Sequence, residues 1–184
     1  GEIIMTKQMF HTFASALALG AGLMATQALA KSDITIGLQL EPPHLDPTSA
    51  AAQAIDQVVY TNIFEGLTRF MGDGSVVPGL AESWEISDDG TVYTFKLRDS
   101  VTFHDGSSMD AEDVKFSLDR ALAEDSANAQ KALFAGIESV EVVDPLTVKV
   151  TLSEPNGNFL FNMAWGDAVI VASESIDDIK TNPV

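Results

Sequence analysis

The chain has 184 residues, 46% of them hydrophobic and 20% charged, and a formal net charge of −17. So acidic a surface repels phosphate backbones and anionic lipids, which excludes a nucleic-acid partner and electrostatic membrane binding. It contains no cysteine, so disulfides, thiol catalysis, cysteine-ligated metals and a lipid-modified cysteine anchor are excluded as well.

The predicted elements begin with a targeting segment. Lys7 gives a short positive region after Met5, an apolar run follows from Phe13 to Ala25, and Ala28-Leu29-Ala30 supplies small residues for a signal peptidase. The run is about 13 residues long, short of the ~20 that a membrane helix needs. The layout predicts a cleavable signal peptide over residues 1–30, with cleavage after Ala30 and Gly1–Ile4 set aside as an artefact of translation. Without an anchoring cysteine, the expected address of residues 31–184 is the periplasm of a two-membrane bacterium.

Asp33–Leu40 alternates Ile34, Ile36, Leu38 and Leu40, which predicts a buried first strand ended by Glu41-Pro42-Pro43. Leu45-Asp46-Pro47 predicts a turn. Ala50–Glu65 places Ala54, Val58, Val59 and Ile63 at helical spacing, predicting an amphipathic helix closed by Gly66. Leu67–Phe70 reads as a short strand and Gly72-Asp73-Gly74 as a hairpin turn. Ala81–Ser87 reads as a helical turn followed by a short strand. Asp88-Asp89-Gly90 turns the chain into a strand over Thr91–Leu97, whose polar and apolar residues alternate. After a turn at His104-Asp105-Gly106, Asp110 caps a helix reaching about Ala123, with Asp113 at the capping-box position. Ile137–Val143 and Leu146–Leu152 form a hairpin about Asp144-Pro145, with Val148, Val150 and Leu152 on one face. Phe159–Ala164 reads as a short helix and Val169–Ala172 as a strand. This mixture of strands and helices places the chain in the α/β or α+β class.

Leu80-Ala81-Glu82-Ser83-Trp84 opens a block that runs through Asp88–Arg98 and Val101-Thr102-Phe103-His104-Asp105-Gly106 to Ala111-Glu112-Asp113-Val114-Lys115-Phe116-Ser117. This block closely resembles the signature region of family 5 bacterial extracellular solute-binding proteins, the receptors of peptide- and oligopeptide-type ABC importers. Leu45-Asp46-Pro47, Phe64-Glu65-Gly66-Leu67 and Asn182-Pro183-Val184 resemble the same family. The resemblance implies a type II periplasmic-binding fold of the peptide-binding class, with the ligand enclosed between two lobes. This chain would supply part of the first lobe and the family's extra subdomain, as an N-terminal fragment. Trp84, Tyr93, Phe95, Phe103 and Phe116 are expected to pack a core. Gly90 and Gly106 are expected at turn positions that other residues resist.

The resemblance further implies a receptor without catalysis that captures a peptide or similar small polar solute and presents it to a membrane permease, as a monomer and with no cofactor. An extended peptide would pair by its backbone with strand-like segments of the receptor. The family places such contacts just after Leu45-Asp46-Pro47, which here means Thr48, Ser49 and Ala50. Trp165, beside Gly166-Asp167, is a second candidate. Relatives that take nickel chelates, haem, sugars or opines leave the ligand open. The competing reading, an exported hydrolase, requires a nucleophile with its base or a metal, and the sequence offers neither. His44 and His104 lie far apart without further ligands at metal spacing. Gly20-Ala21-Gly22 falls within the apolar targeting run rather than after a strand. The acidic clusters at Asp88-Asp89 and Asp110-Glu112-Asp113 read as turn and cap chemistry.

Overall fold

The computed structural model describes residues 34–49 and 52–173. The targeting segment, Asp33, Ala50 and the Asn182-Pro183-Val184 triplet therefore lie outside the described residues. The chain divides into two compact units, Gly1–Gly37 and Leu38–Val184. In the first unit, residues 34–37 carry no regular secondary structure, and Ile34 is 84% exposed. In the second, Leu38 and Leu40 are exposed too. The expected buried strand over 33–40 is thus corrected. Alternation provides an apolar face, but a strand also needs a neighbour for its backbone N–H and C=O groups. None pairs with this segment among the described residues.

The larger unit is built on an antiparallel four-stranded sheet in the order β3-β4-β6-β5. Its strands are β3 (Ala81–Ile86), β4 (Val92–Leu97), β5 (Ile137–Asp144) and β6 (Thr147–Leu152). β4 and β6 are central and pair Phe95 with Val148 and Tyr93 with Val150. Their inward residues Tyr93, Phe95, Leu97, Val148, Val150 and Leu152 are all buried, as their alternation predicts. The helix expected at the start of Ala81–Ser87 is instead strand from its first residue. Ala81 pairs with Leu97 across the sheet edge, and this ladder prevails over the weak local helical preference of Ala81-Glu82. Gly90 and Gly106 adopt φ of +72° and +89° at their turns. These are left-handed angles that a side chain resists.

A smaller sheet pairs β1 (Thr68–Phe70) with β2 (Val76–Pro78) around the Gly72–Gly74 turn. Gly79 leads from it into β3. Its N–H donates to the Leu67 carbonyl at 3.1 Å, and the Leu80 N–H donates to the Gly66 carbonyl at 3.0 Å. A Cβ on Gly79 would lie 2.5 Å from the Gly66 oxygen, so only glycine permits this crossing.

The helix expected over Ala50–Glu65 is only α1 (Gln53–Val59). Tyr60 is extended and Thr61 has φ +58°. The Asn62, Ile63 and Phe64 N–H groups all turn back onto the Val59 carbonyl. The Tyr60 hydroxyl donates to the Ala164 carbonyl. That tertiary anchor and the turn about Val59 override the apolar periodicity beyond residue 59, and Gly66 bridges Val169 instead of closing a helix.

α2 (Ala111–Leu122) begins at Asp110, which accepts from the Glu112 N–H at 2.8 Å. Asp113 accepts from the Asp110 N–H at 3.1 Å, completing the predicted reciprocal cap. Val114, Leu118 and Ala121 enter the main core with Phe95, Phe134 and Phe159 of the following α3 (Phe159–Asn162). Phe116 packs instead on a second cluster formed by Ile55, Val59, Phe64, Val169 and Val171. The segment Val169–Ala172 is buried but forms a single bridge rather than the expected strand. Its backbone is satisfied elsewhere: Ile170 N–H donates to the Glu65 carbonyl and Val171 N–H to Ser117 Oγ on α2.

Candidate functional site

The C-terminal half of α2 faces two turns, Leu45–Ser49 and the single 3₁₀ turn Gly166–Ala168. Between them opens a cleft of about 250 Å³, with Thr48, Ser117, Arg120, Asn128 and Asp167 among its lining residues.

The first wall is a turn organised by Asp46, which is completely buried. Its carboxylate accepts from the Thr48 N–H at 2.8 Å and from the Thr48 hydroxyl at 2.6 Å. The local sequence dictates this arrangement, because an aspartate two residues ahead can close a turn on the following backbone. The Arg120 guanidinium ties the turn to α2. One nitrogen donates to Thr48 Oγ1, and the other lies 3.5 Å from Asp46 Oδ2. Arg120 is thereby the counter-ion of a carboxylate removed from water. The Asp46 N–H also donates to His44 Nδ1 at 3.2 Å, which gives His44 a place in the turn.

The opposite wall is the Gly166–Ala168 turn. Asn128 Nδ2 donates to the Asp167 carbonyl at 2.9 Å, fixing the turn from the segment after α2. Asp167 is 6% exposed. Burial, followed by the negative charge of nearby Asp56, pushes its carboxyl from the ordinary 3.8 up to about 6. Burial also raises the Asp56 carboxyl. A Cβ on Gly166 would stand 2.7 Å from Asp56 Oδ1, so the Asp56 side chain would have to shift to admit one.

Of the residues expected from the sequence, Thr48 lines the cleft, and Ser49 follows it in the chain but is not among the lining residues. The Ser49 hydroxyl oxygen is buried and has no hydrogen-bond partner among the described residues. Ala50 lies outside those residues. Trp165 precedes the Asp167 turn but is not among the cleft-lining residues. It is 39% exposed and packs edge-on to Phe161 and tilted to Phe70, at centroid distances of 6.2 and 6.5 Å. Tyr60 extends this aromatic surface by stacking on Phe70.

Arg120, Asn128 and Asp167 escaped the sequence reading. A basic residue in the last turn of a helix resembles ordinary compensation of the helix dipole, so Arg120 carries no distinctive signal. Asp167 stands beside Trp165 in a Gly-Asp pair that reads as a polar loop. Its burial becomes visible only when the fold places it under α2.

Residues 75–184 match the family described as bacterial extracellular solute-binding proteins, family 5 Middle. The glutathione-binding protein of Salmonella paratyphi A is 35% identical over 184 residues, which span 98% of this chain and 36% of that protein. Among solved structures, NikZ of Campylobacter jejuni in complex with Ni(L-His) is 32% identical with a TM-score of 0.69, over 78% of this chain and 29% of that one. The Escherichia coli murein tripeptide binding protein is 29% identical with a TM-score of 0.70, over 77% of this chain and 31% of that one. The chain therefore spans about a third of the length of the curated relative. With its ordered signature block, its mixed α/β fold and this match, the chain belongs to the family 5 bacterial extracellular solute-binding proteins.

Proposed function

We propose that the protein is the substrate-binding component of an ABC importer. It captures a short peptide or a similarly small polar solute in the periplasm and delivers it to a membrane permease, without catalysis. The observation that carries this reading is the polar cleft at the end of α2 in a chain of this family. It is framed by two turns whose backbones are pinned in place, so the lining is held ready before any ligand arrives. Peptides are the preferred ligand class because two relatives are named for glutathione and for a murein tripeptide. Thr48, Ser49 and Ala50 are the proposed backbone contacts. Ser49 is supported by a buried hydroxyl with no hydrogen-bond partner among the described residues, a group that a ligand would satisfy. Trp165 is proposed as a contact at the rim. Export through the signal peptide over residues 1–30 accounts for the address, and the receptor acts as a monomer.

The test is a titration of the full chain with glutathione and a mixture of tripeptides. Tryptophan fluorescence reports binding, and mass spectrometry of the recovered peptides reports cleavage. The expected result is saturable binding with every peptide intact. Peptide turnover overturns the receptor reading. Binding of a nickel–histidine chelate without any peptide overturns the ligand class alone.

A further inference from the structure

The turn between β6 and α3 holds Asn156-Gly157, the single Asn-Gly pair of the sequence. Aspartate precedes glycine three times, at Asp73-Gly74, Asp89-Gly90 and Asp105-Gly106. In all of these pairs the glycine has no side chain to shield its backbone nitrogen. That nitrogen can therefore attack the side-chain carbonyl carbon of the residue before it and close a cyclic imide.

The fold treats the pairs differently. The Gly74, Gly90 and Gly106 N–H groups donate to the Met71, Ser87 and Phe103 carbonyls at 2.8, 2.8 and 3.0 Å. The aspartates before them accept from the hydroxyls of Ser75, Ser87 and Ser107 at 2.7, 2.6 and 2.6 Å. Those hydrogen bonds hold the three carboxyls below the ordinary 3.8, and an ionised carboxylate is a poor electrophile. Gly157 is the exception. It is exposed, and its N–H has no hydrogen-bond partner among the described residues. The Asn156 side chain is a neutral amide whose Oδ1 accepts from the Asn158 N–H at 2.9 Å. That bond draws electrons from Cγ, and no described residue holds the Nδ2 that must leave.

We propose that Asn156-Gly157 is a site of spontaneous deamidation whose effect reaches the core through Tyr93. The Gly157 nitrogen bonds to Asn156 Cγ, the Cγ–Nδ2 bond breaks, and ammonia leaves with the proton that Gly157 gives up. Water then opens the imide. Opening at Cγ gives aspartate, and opening at the main-chain carbonyl carbon gives isoaspartate. Isoaspartate routes the main chain through the former side chain, adds a methylene to it, and leaves the old main-chain carbonyl as a free carboxylate. That carbonyl is the one that accepts from the Tyr93 hydroxyl at 3.2 Å and from the Phe159 N–H at 3.0 Å. Tyr93 and Phe159 are both buried, with ring centroids 4.6 Å apart. A methylene inserted between these anchors shifts α3 against β4, and a close-packed core registers a change of that size.

The test is peptide mapping of the full chain by mass spectrometry after incubation in mildly alkaline buffer, with isoaspartate told from aspartate by electron-transfer fragmentation. Asn156 should convert ahead of Asn128, Asn158 and Asn162 and ahead of the Asp-Gly pairs, with isoaspartate as the main product. Gly157→Ala should lose most of this conversion. A Cβ there meets nothing within 4 Å, so the variant keeps the fold. Unfolding in guanidinium chloride should accelerate the Asp-Gly pairs more than Asn156, because it releases the bonds that shield them. An unchanged rate in Gly157→Ala overturns the assignment, as does conversion of the folded Asp-Gly pairs at the rate of Asn156. Equal acceleration of every pair on unfolding overturns the protection assigned to the fold. The aged chain should melt lower than the fresh one, whereas Asn156→Asp, which carries the charge without the methylene, should melt as wild type does. Aged and fresh chains that melt alike, or an Asn156→Asp that falls as far as the aged chain, overturn the link through Tyr93.

Discussion

Asp167 has a consequence for stability whose sign can be worked out. Its carboxyl rises from 3.8 to about 6 on folding, so between those values the native state binds more protons than the unfolded state. Stability contributed by this group therefore falls as pH rises through that window, and the penalty is fully present above about 6. This is the reverse of the usual salt-bridged aspartate. Two units of pKa correspond to about 3 kcal/mol as an upper bound. Solvent screening at the open cleft reduces the expected penalty to ~1–2 kcal/mol. Asp167→Asn removes the charge at nearly constant volume, so the variant should be more stable than wild type at about pH 7.5. For a chain of this size that amounts to roughly 4 °C in melting temperature. The gain should shrink to near zero at about pH 3, below both values, where wild type is mostly protonated in both states. Thermal melts by circular dichroism at the two pH values measure this directly. A variant that melts lower than wild type at pH 7.5, or a gain that is the same at both pH values, refutes the reasoning.

Other perturbations address the scaffold. Gly79→Ala drives a methyl to 2.5 Å from the Gly66 carbonyl oxygen, so it should cost about 2–3 kcal/mol in urea denaturation, and a neutral result would show that the crossing can open. Asp110→Ala removes the cap of α2 and should cost ~1 kcal/mol, read as a lower urea midpoint with an unchanged slope. Arg120→Leu leaves Asp46 buried without its counter-ion. It should destabilise by ~3 kcal/mol, and an unchanged midpoint would mean that the Leu45–Ser49 turn is held without Arg120.

How legible the chain was in sequence depended on how local the deciding forces were. The Asp110–Asp113 cap, the Gly90 and Gly106 turns and the β5–β6 hairpin depend on residues a few positions apart, and all formed as read. Alternation in β4 and β6 placed Tyr93, Phe95, Val148 and Val150 inside, because a strand with one buried face must alternate. Ala50–Glu65 was misread as one long helix, since apolar spacing does not reveal the Tyr60 anchor on Ala164 or the chain's return onto Val59. Ala81–Ile86 became a strand because a partner stood beside it, and residues 34–40 have none among the described residues.

The site divides along the same line. The family, the signature block and the Leu45-Asp46-Pro47 turn could be read from the sequence, since each is carried by residues adjacent in the chain. Packing in three dimensions brought Arg120 to Asp46 and gave Asp167 no such partner among the described residues. Charge compensation is a matter of distance through space, and the residues that settle it here are separated by 74 positions for Arg120 and Asp46. Burial, which makes an unpaired carboxylate matter, is likewise a property of the packed chain and of no short stretch of it.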